Sequence, residues 1–129
     1  MRAARVLREA GLWLVAVFLA YVFIKQGFAK FSDTSGWARA FRIWQYPGWF
    51  RVLVGAAEVA AAILVLLPRT ALAGGAIIIV IMLGGMGTHI WWGHPGQVTS
   101  EILPLVLAGA VALGRRRDFL WSASRGAAE

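Results

Sequence analysis

Cysteine is absent from the 129 residues, so the chain contains no disulfide, no thiolate metal site, no Cys-ligated iron–sulfur cluster and no thiol redox couple. Acidic residues are scarce, 6 against 13 Lys and Arg, and only 15% of the chain is charged. No nucleophile–base arrangement, phosphate loop or dinucleotide fingerprint occurs; Gly84-Gly85-Met86-Gly87 sits inside an apolar run and follows no strand. The two histidines, His89 and His94, are five positions apart with no further ligand at a recognisable spacing, so no metal or haem site is expected. The net charge of +7 suggests nucleic acid only until its placement is considered. Arg2, Arg5, Arg8 and Arg115-Arg116-Arg117 flank apolar segments, where topology determinants and lipid headgroup contacts belong, and no nucleic-acid partner is expected.

What the chain does have is apolar surface. Hydrophobic residues make up 60% and the mean hydropathy is +0.69, more than a soluble domain of this size can bury. The expectation is an all-α integral membrane protein in a lipid bilayer: one transmembrane domain over 1–129, a four-helix bundle with spans at approximately 8–28, 48–67, 70–92 and 101–114. The basic lead Arg2–Arg8 and the apolar run to Ile24 imitate a secretory signal. No small-x-small cleavage motif follows, and a retained first span is expected.

Ser32-Asp33-Thr34-Ser35-Gly36 breaks the first helix and offers capping oxygens to the next. There Trp37, Phe41 and Trp44 fall at i, i+4 and i+7, with Arg39 and Arg42 off that face. This predicts a short interfacial amphipathic helix between the first and second spans. Pro47-Gly48 opens the second span and Pro68-Arg69-Thr70 turns the chain into the third. The third span is rich in glycine, as close helix packing in lipid favours. His94-Pro95-Gly96 makes the last turn. Arg115-Arg116-Arg117-Asp118 is expected to stop the fourth segment, with Phe119-Leu120-Trp121 at the interface and a frayed end from Ser122.

Glu58 sets the functional question. It lies near the middle of a hydrocarbon-length helix, where an ionised acid costs about 2.5–3.5 kcal/mol and so should face protein or a cavity. Arg51, Gly55 and Glu58 share one helical face; Met82, Gly85, His89 and Trp92 share another. Lys30 or Arg51 would answer the charge, His89 would hydrogen-bond or carry a proton, and Trp44 and Trp49, with Trp37, would wall the entrance. The candidate ligand-binding residues are therefore Lys30, Arg51, Glu58, His89, Trp44 and Trp49, with no assigned catalytic residue. Two readings of Glu58 stay open: a ligand or proton site, and a buried ion pair that fixes helix register.

Several of these features together resemble the DoxX family of small four-span bacterial membrane proteins. They are Gly27-Phe-Ala-Lys-Phe31 closing the first span, Gly55-x-x-Glu58 in a helix with a Leu-rich end, the tight Pro68-Arg69 turn, and a glycine-rich third span ending in His89. The likeness runs from about Leu12 to Leu113. It implies a four-helix bundle and association with redox systems, since some members look like the membrane subunit of thiosulfate:quinone oxidoreductases. It carries over Lys30, Glu58 and His89.

The expectation that results is a membrane subunit of a quinone-linked redox complex with a polar intramembrane pocket near the outer leaflet. It would hold no cofactor of its own, take a quinone as ligand, and associate with a partner redox protein or with itself. A non-catalytic anchor or scaffold is the main rival, and a small-molecule or proton carrier the lesser one. Eight of the 13 basic residues (Arg2, Arg5, Arg8, Arg69, Arg115, Arg116, Arg117 and Arg125) would share one side. Both termini are accordingly expected in the cytoplasm of a bacterial cell, with the chain multi-pass in the inner membrane.

Overall fold

Glycines decide where the helices of this protein touch. The computed structural model describes residues 2–128, and its long helices are α1 (Arg2–Ala29), α3 (Gly48–Leu66), α4 (Ala71–Trp91) and α5 (Thr99–Ala128), with the short α2 (Gly36–Ile43) between the first two. All four long helices are long and apolar enough to cross a membrane. They run up, down, up and down: α1 packs on α3 and α5, and α4 packs on α3 and α5, closing a four-helix ring. A 3-10 turn, Pro95–Val98, leads into α5.

A Cβ on Gly27 would lie 2.7 Å from the Gly55 carbonyl oxygen, and one on Gly55 would lie 2.7 Å from the Gly27 carbonyl. Only two glycines permit α1 and α3 to cross that closely. Likewise a Cβ on Gly74 would lie 2.7–2.8 Å from the backbone of Val65 and Ala61, so this glycine lets α4 meet α3 near the end of the bundle that carries the termini. Between these contacts Leu19, Phe23, Val65, Ile78 and Val111 form a buried core with Ala61, Ala62, Ala71 and Ala108. Large apolar side chains such as Leu14, Leu53, Val80 and Ile90 point outward, which suits contact with acyl chains and would be a liability in water.

Two helix ends use the same device. After α2, Gln45 takes φ 62°, its N–H donates to the Arg42 carbonyl, and the Tyr46 N–H donates to the Phe41 carbonyl at 2.9 Å. After α4, Gly93 takes φ 80° and the His94 N–H donates to the His89 carbonyl at 2.8 Å. Both are Schellman closures, one built on an unusual non-glycine residue. They fix where Tyr46 and His89 sit. At the start of α2, the Ser35 hydroxyl accepts from the Ala38 N–H at 3.3 Å, the capping that the Ser/Thr-rich break predicts.

The ends of α1 and α5 differ from the simplest reading of the sequence. α1 is helical from Arg2, and α5 continues past Arg115-Arg116-Arg117 as helix to Ala128; Arg is a good helix former and no Pro follows Pro104. The side chains of Phe119, Leu120 and Trp121, expected at the interface, lie outside the described residues. Arg115 is buried and its Nη1 donates to Glu9 at 2.8 and 3.0 Å, while Arg8 donates to the Gly114 carbonyl at 2.6 Å. These contacts tie α1 to α5 at the terminal end.

Candidate functional site

The helix crossing at Gly27 and Gly55 places the next turn of each helix opposite the other. Three residues on from each glycine stand Lys30 and Glu58, and Lys30 Nζ reaches Glu58 Oε1 at 2.7 Å with both side chains almost wholly buried (4% and 1% exposed). The second oxygen, Glu58 Oε2, is buried with no partner among the described residues. Lys30 Nζ also lies 3.7 Å from the centroid of the Trp37 ring, a cation–π contact supplied by α2. Burial pushes the Lys30 ammonium below the ordinary lysine range, and the Glu58 carboxylate works against that push.

A second pair stands across the same space. His89 Nε2, near the end of α4, is 3.3 Å from Glu101 Oε1 in the first turn of α5. Gly85 makes the room: a Cβ there would sit 2.7–2.9 Å from the Glu101 carboxylate. His89 Nδ1 is buried with no partner among the described residues. Beside it the Thr88 hydroxyl donates to the Gly84 carbonyl at 2.9 Å and lies 2.8 Å from the Tyr46 hydroxyl, so α4 is tied to the α2–α3 link.

Both pairs line one cavity of about 630 Å³. On the loop side of the Gly74 crossing it is lined by Leu53 and Ala57 of α3 and by Val80 and Gly84 of α4, and a Cβ on Gly84 would meet nothing within 4 Å. Phe41, Trp44, Tyr46 and Phe50 roof it with ring centroids 5.1–5.7 Å apart in successive edge or tilted contacts, and Trp44 meets His89 edge-on at 5.4 Å. Its sides include Leu53, Val80 and Gly84, which are exposed on the outer surface of the bundle. The cavity therefore has a polar end with four ionisable groups and an apolar flank where lipid would lie. Its volume falls in the range of small-molecule sites, roughly 300–1,000 Å³.

Of the residues that the sequence singles out, Lys30, Glu58, His89 and Trp44 meet at this cavity, and Trp37 joins them. Arg51 is buried but faces away: it donates to the Ser32 carbonyl at 2.6 Å and to Asp33 at 2.7 Å, fastening the α1–α2 link. It shares a helical face with Glu58, yet Asp33 and the free carbonyl at the end of α1 are nearer. Trp49 is 69% exposed and rests edge-on against Phe50 at 6.0 Å, outside the cavity. Glu101 and Tyr46 also line the cavity and are not among the residues that the sequence singles out. Scarcity was the available signal for Glu101, since it and Glu58 are the only acids between Asp33 and Asp118.

A family model described as the DoxX-like family matches residues 14–113, a stretch that includes Lys30, Glu58, His89 and Glu101. No curated protein and no solved structure matches the chain.

Proposed function

The chain belongs to the DoxX-like family, and on that footing we propose that it is the membrane subunit of a quinone-linked redox complex, with the cavity between α3 and α4 as its quinone site. The observation that carries this reading is the cavity itself: four ionisable groups at one end, an aromatic roof, and a flank formed by the exposed Leu53 and Val80. A lipophilic ligand with a small polar head matches both halves. Its tail lies along the apolar flank, while its head meets Glu58 and His89, each of which has a buried polar atom without a partner among the described residues. Trp37 and Trp44 present ring faces and edges to a planar head.

The chain has no thiol couple, and electrons would reach the bound quinone from a partner redox protein or a bound cofactor. The preponderance of Arg at the terminal end supports an inner-membrane orientation with both termini cytoplasmic, which puts the cavity in the outer leaflet.

Decylubiquinone binding to the purified protein in nanodiscs, followed by quenching of tryptophan fluorescence, tests the reading. Saturable binding by wild type, weakened about tenfold or more by Glu58→Gln and by His89→Ala in folded protein, supports it. Equal binding by all three proteins, or none by wild type, leaves an anchor or scaffold as the better account.

A further inference from the structure

A second hollow lies against the first. It has a volume of about 440 Å³, and Gly36, Gln97 and Ser100 line it, all exposed at the loop end of the bundle, where water reaches. Trp37, Trp44, His89, Ser100 and Glu101 line both hollows and so form the wall between them. Only His89 and Glu101 of these five carry an acid–base side chain, and they are the two that meet, His89 Nε2 at 3.3 Å from Glu101 Oε1. With Nε2–H donating to Glu101, the neutral ring keeps a lone pair on Nδ1, the atom that is buried without a partner among the described residues.

We propose that the His89–Glu101 pair is the proton passage between the water-facing vestibule and the membrane cavity. A proton leaving the cavity adds to His89 Nδ1, the ring gives up its Nε2 proton to Glu101 Oε1, and the carboxyl releases it to vestibule water. Only N–H and O–H bonds change, and one proton crosses for each one taken up. The outward step leaves the ring in the Nδ1–H form and the inward step restores Nε2–H, so the pair carries single protons alternately and equilibrates the cavity with vestibule water. The other charged groups around the ring are placed consistently. Lys30, just past α1, and Glu58, on α3, hold each other at 2.7 Å, and the C-cap of α2 brings the Trp44 ring to His89, with Arg39 and Arg42 of α2 exposed. The passage deepens the quinone reading by giving a ligand hydroxyl a route to water. Its test needs no ligand, so the two fail separately.

The test is ¹⁵N-histidine NMR in nanodiscs on a His94→Asn background, in which His89 supplies the single imidazole signal. The expected result is an Nε2–H tautomer whose exchange with water slows on the order of a hundredfold in Glu101→Gln and partly recovers in Glu101→Asp. Ala40→Trp, which fills the vestibule from α2 without reaching the cavity, should slow it as well. An unchanged exchange rate in either Glu101→Gln or Ala40→Trp, or an Nδ1–H tautomer in the unsubstituted site, overturns the proposal. Should Glu101→Gln fail to assemble, the tautomer and Ala40→Trp decide.

Discussion

Replacing Lys30 by methionine keeps most of the side chain's reach and removes the charge that Glu58 faces at 2.7 Å. Glu58 is 1% exposed, so water cannot replace the ammonium. Leaving a buried charge unpaired costs about 3–5 kcal/mol. The carboxylate has a second route, which is to take a proton; at pH 7 that costs about 1.4 kcal/mol for each unit above the ordinary Glu value of about 4.3, or roughly 3.7 kcal/mol. The cheaper route sets the loss, so Lys30→Met should destabilise the bundle by about 3–4 kcal/mol at pH 7. The sign of its pH dependence follows. The folded variant keeps a proton that the unfolded chain releases above about pH 4.3, so its stability falls as pH rises, and the deficit should shrink to about 1 kcal/mol at pH 5. Removing both partners in Lys30→Met/Glu58→Met should return stability to within about 1–2 kcal/mol of wild type, because an apolar pair satisfies the same volume. Reversible unfolding in mixed micelles, followed by circular dichroism at pH 5 and pH 7 for all members of this mutant cycle, measures each quantity. A single substitution costing under about 1 kcal/mol at pH 7 would mean that the pair is solvated and not buried. A double variant less stable than either single one would also count against a buried pair.

The glycines supply a contrast of sign. Gly27→Ala and Gly55→Ala each drive a methyl group into backbone 2.7 Å away and should cost about 1–3 kcal/mol; Gly84→Ala meets nothing within 4 Å and should stabilise its helix by about 0.5–1 kcal/mol in the same unfolding assay. Gly85→Ala should behave differently from both. Its methyl meets only the mobile end of Glu101 at 2.7–2.9 Å, so stability should hold while the carboxylate moves off His89, seen as a changed His89 imidazole ¹⁵N spectrum.

Much of the fold was legible because lipid leaves few alternatives. Hydrocarbon-length apolar runs must be helices, Ser35 caps α2, and the turn at Pro68 and the break before α2 are written in residue type. The buried acid was legible for the same reason, since an ionised Glu58 in the bilayer needs a partner, and Lys30 is that partner in the structure. Helical periodicity reports which residues share a face but not which element the face meets. That is why Arg51 reads as a neighbour of Glu58 and in fact binds Asp33 and Ser32. Trp49 is adjacent in sequence to the cavity's Phe50, yet it is 69% exposed and lies outside the cavity. Glu101 was hidden because an acid in a first helical turn has an ordinary explanation in the helix dipole, and only the α4–α5 packing brings it to His89. The basic cluster at Arg115 reads as a topology signal, while the structure uses its first residue as a buried link to Glu9.

If the cavity lined by α3 and α4 is a binding chamber entered from the lipid side, rings placed in its lining must block it. The most direct test is decylubiquinone affinity in nanodiscs for Ala57→Phe and Gly84→Phe, which place a ring at positions lining the chamber and leave all four ionisable groups intact. The account predicts that both variants fold and that both bind at least about tenfold more weakly than wild type. Wild-type affinity in both would contradict it.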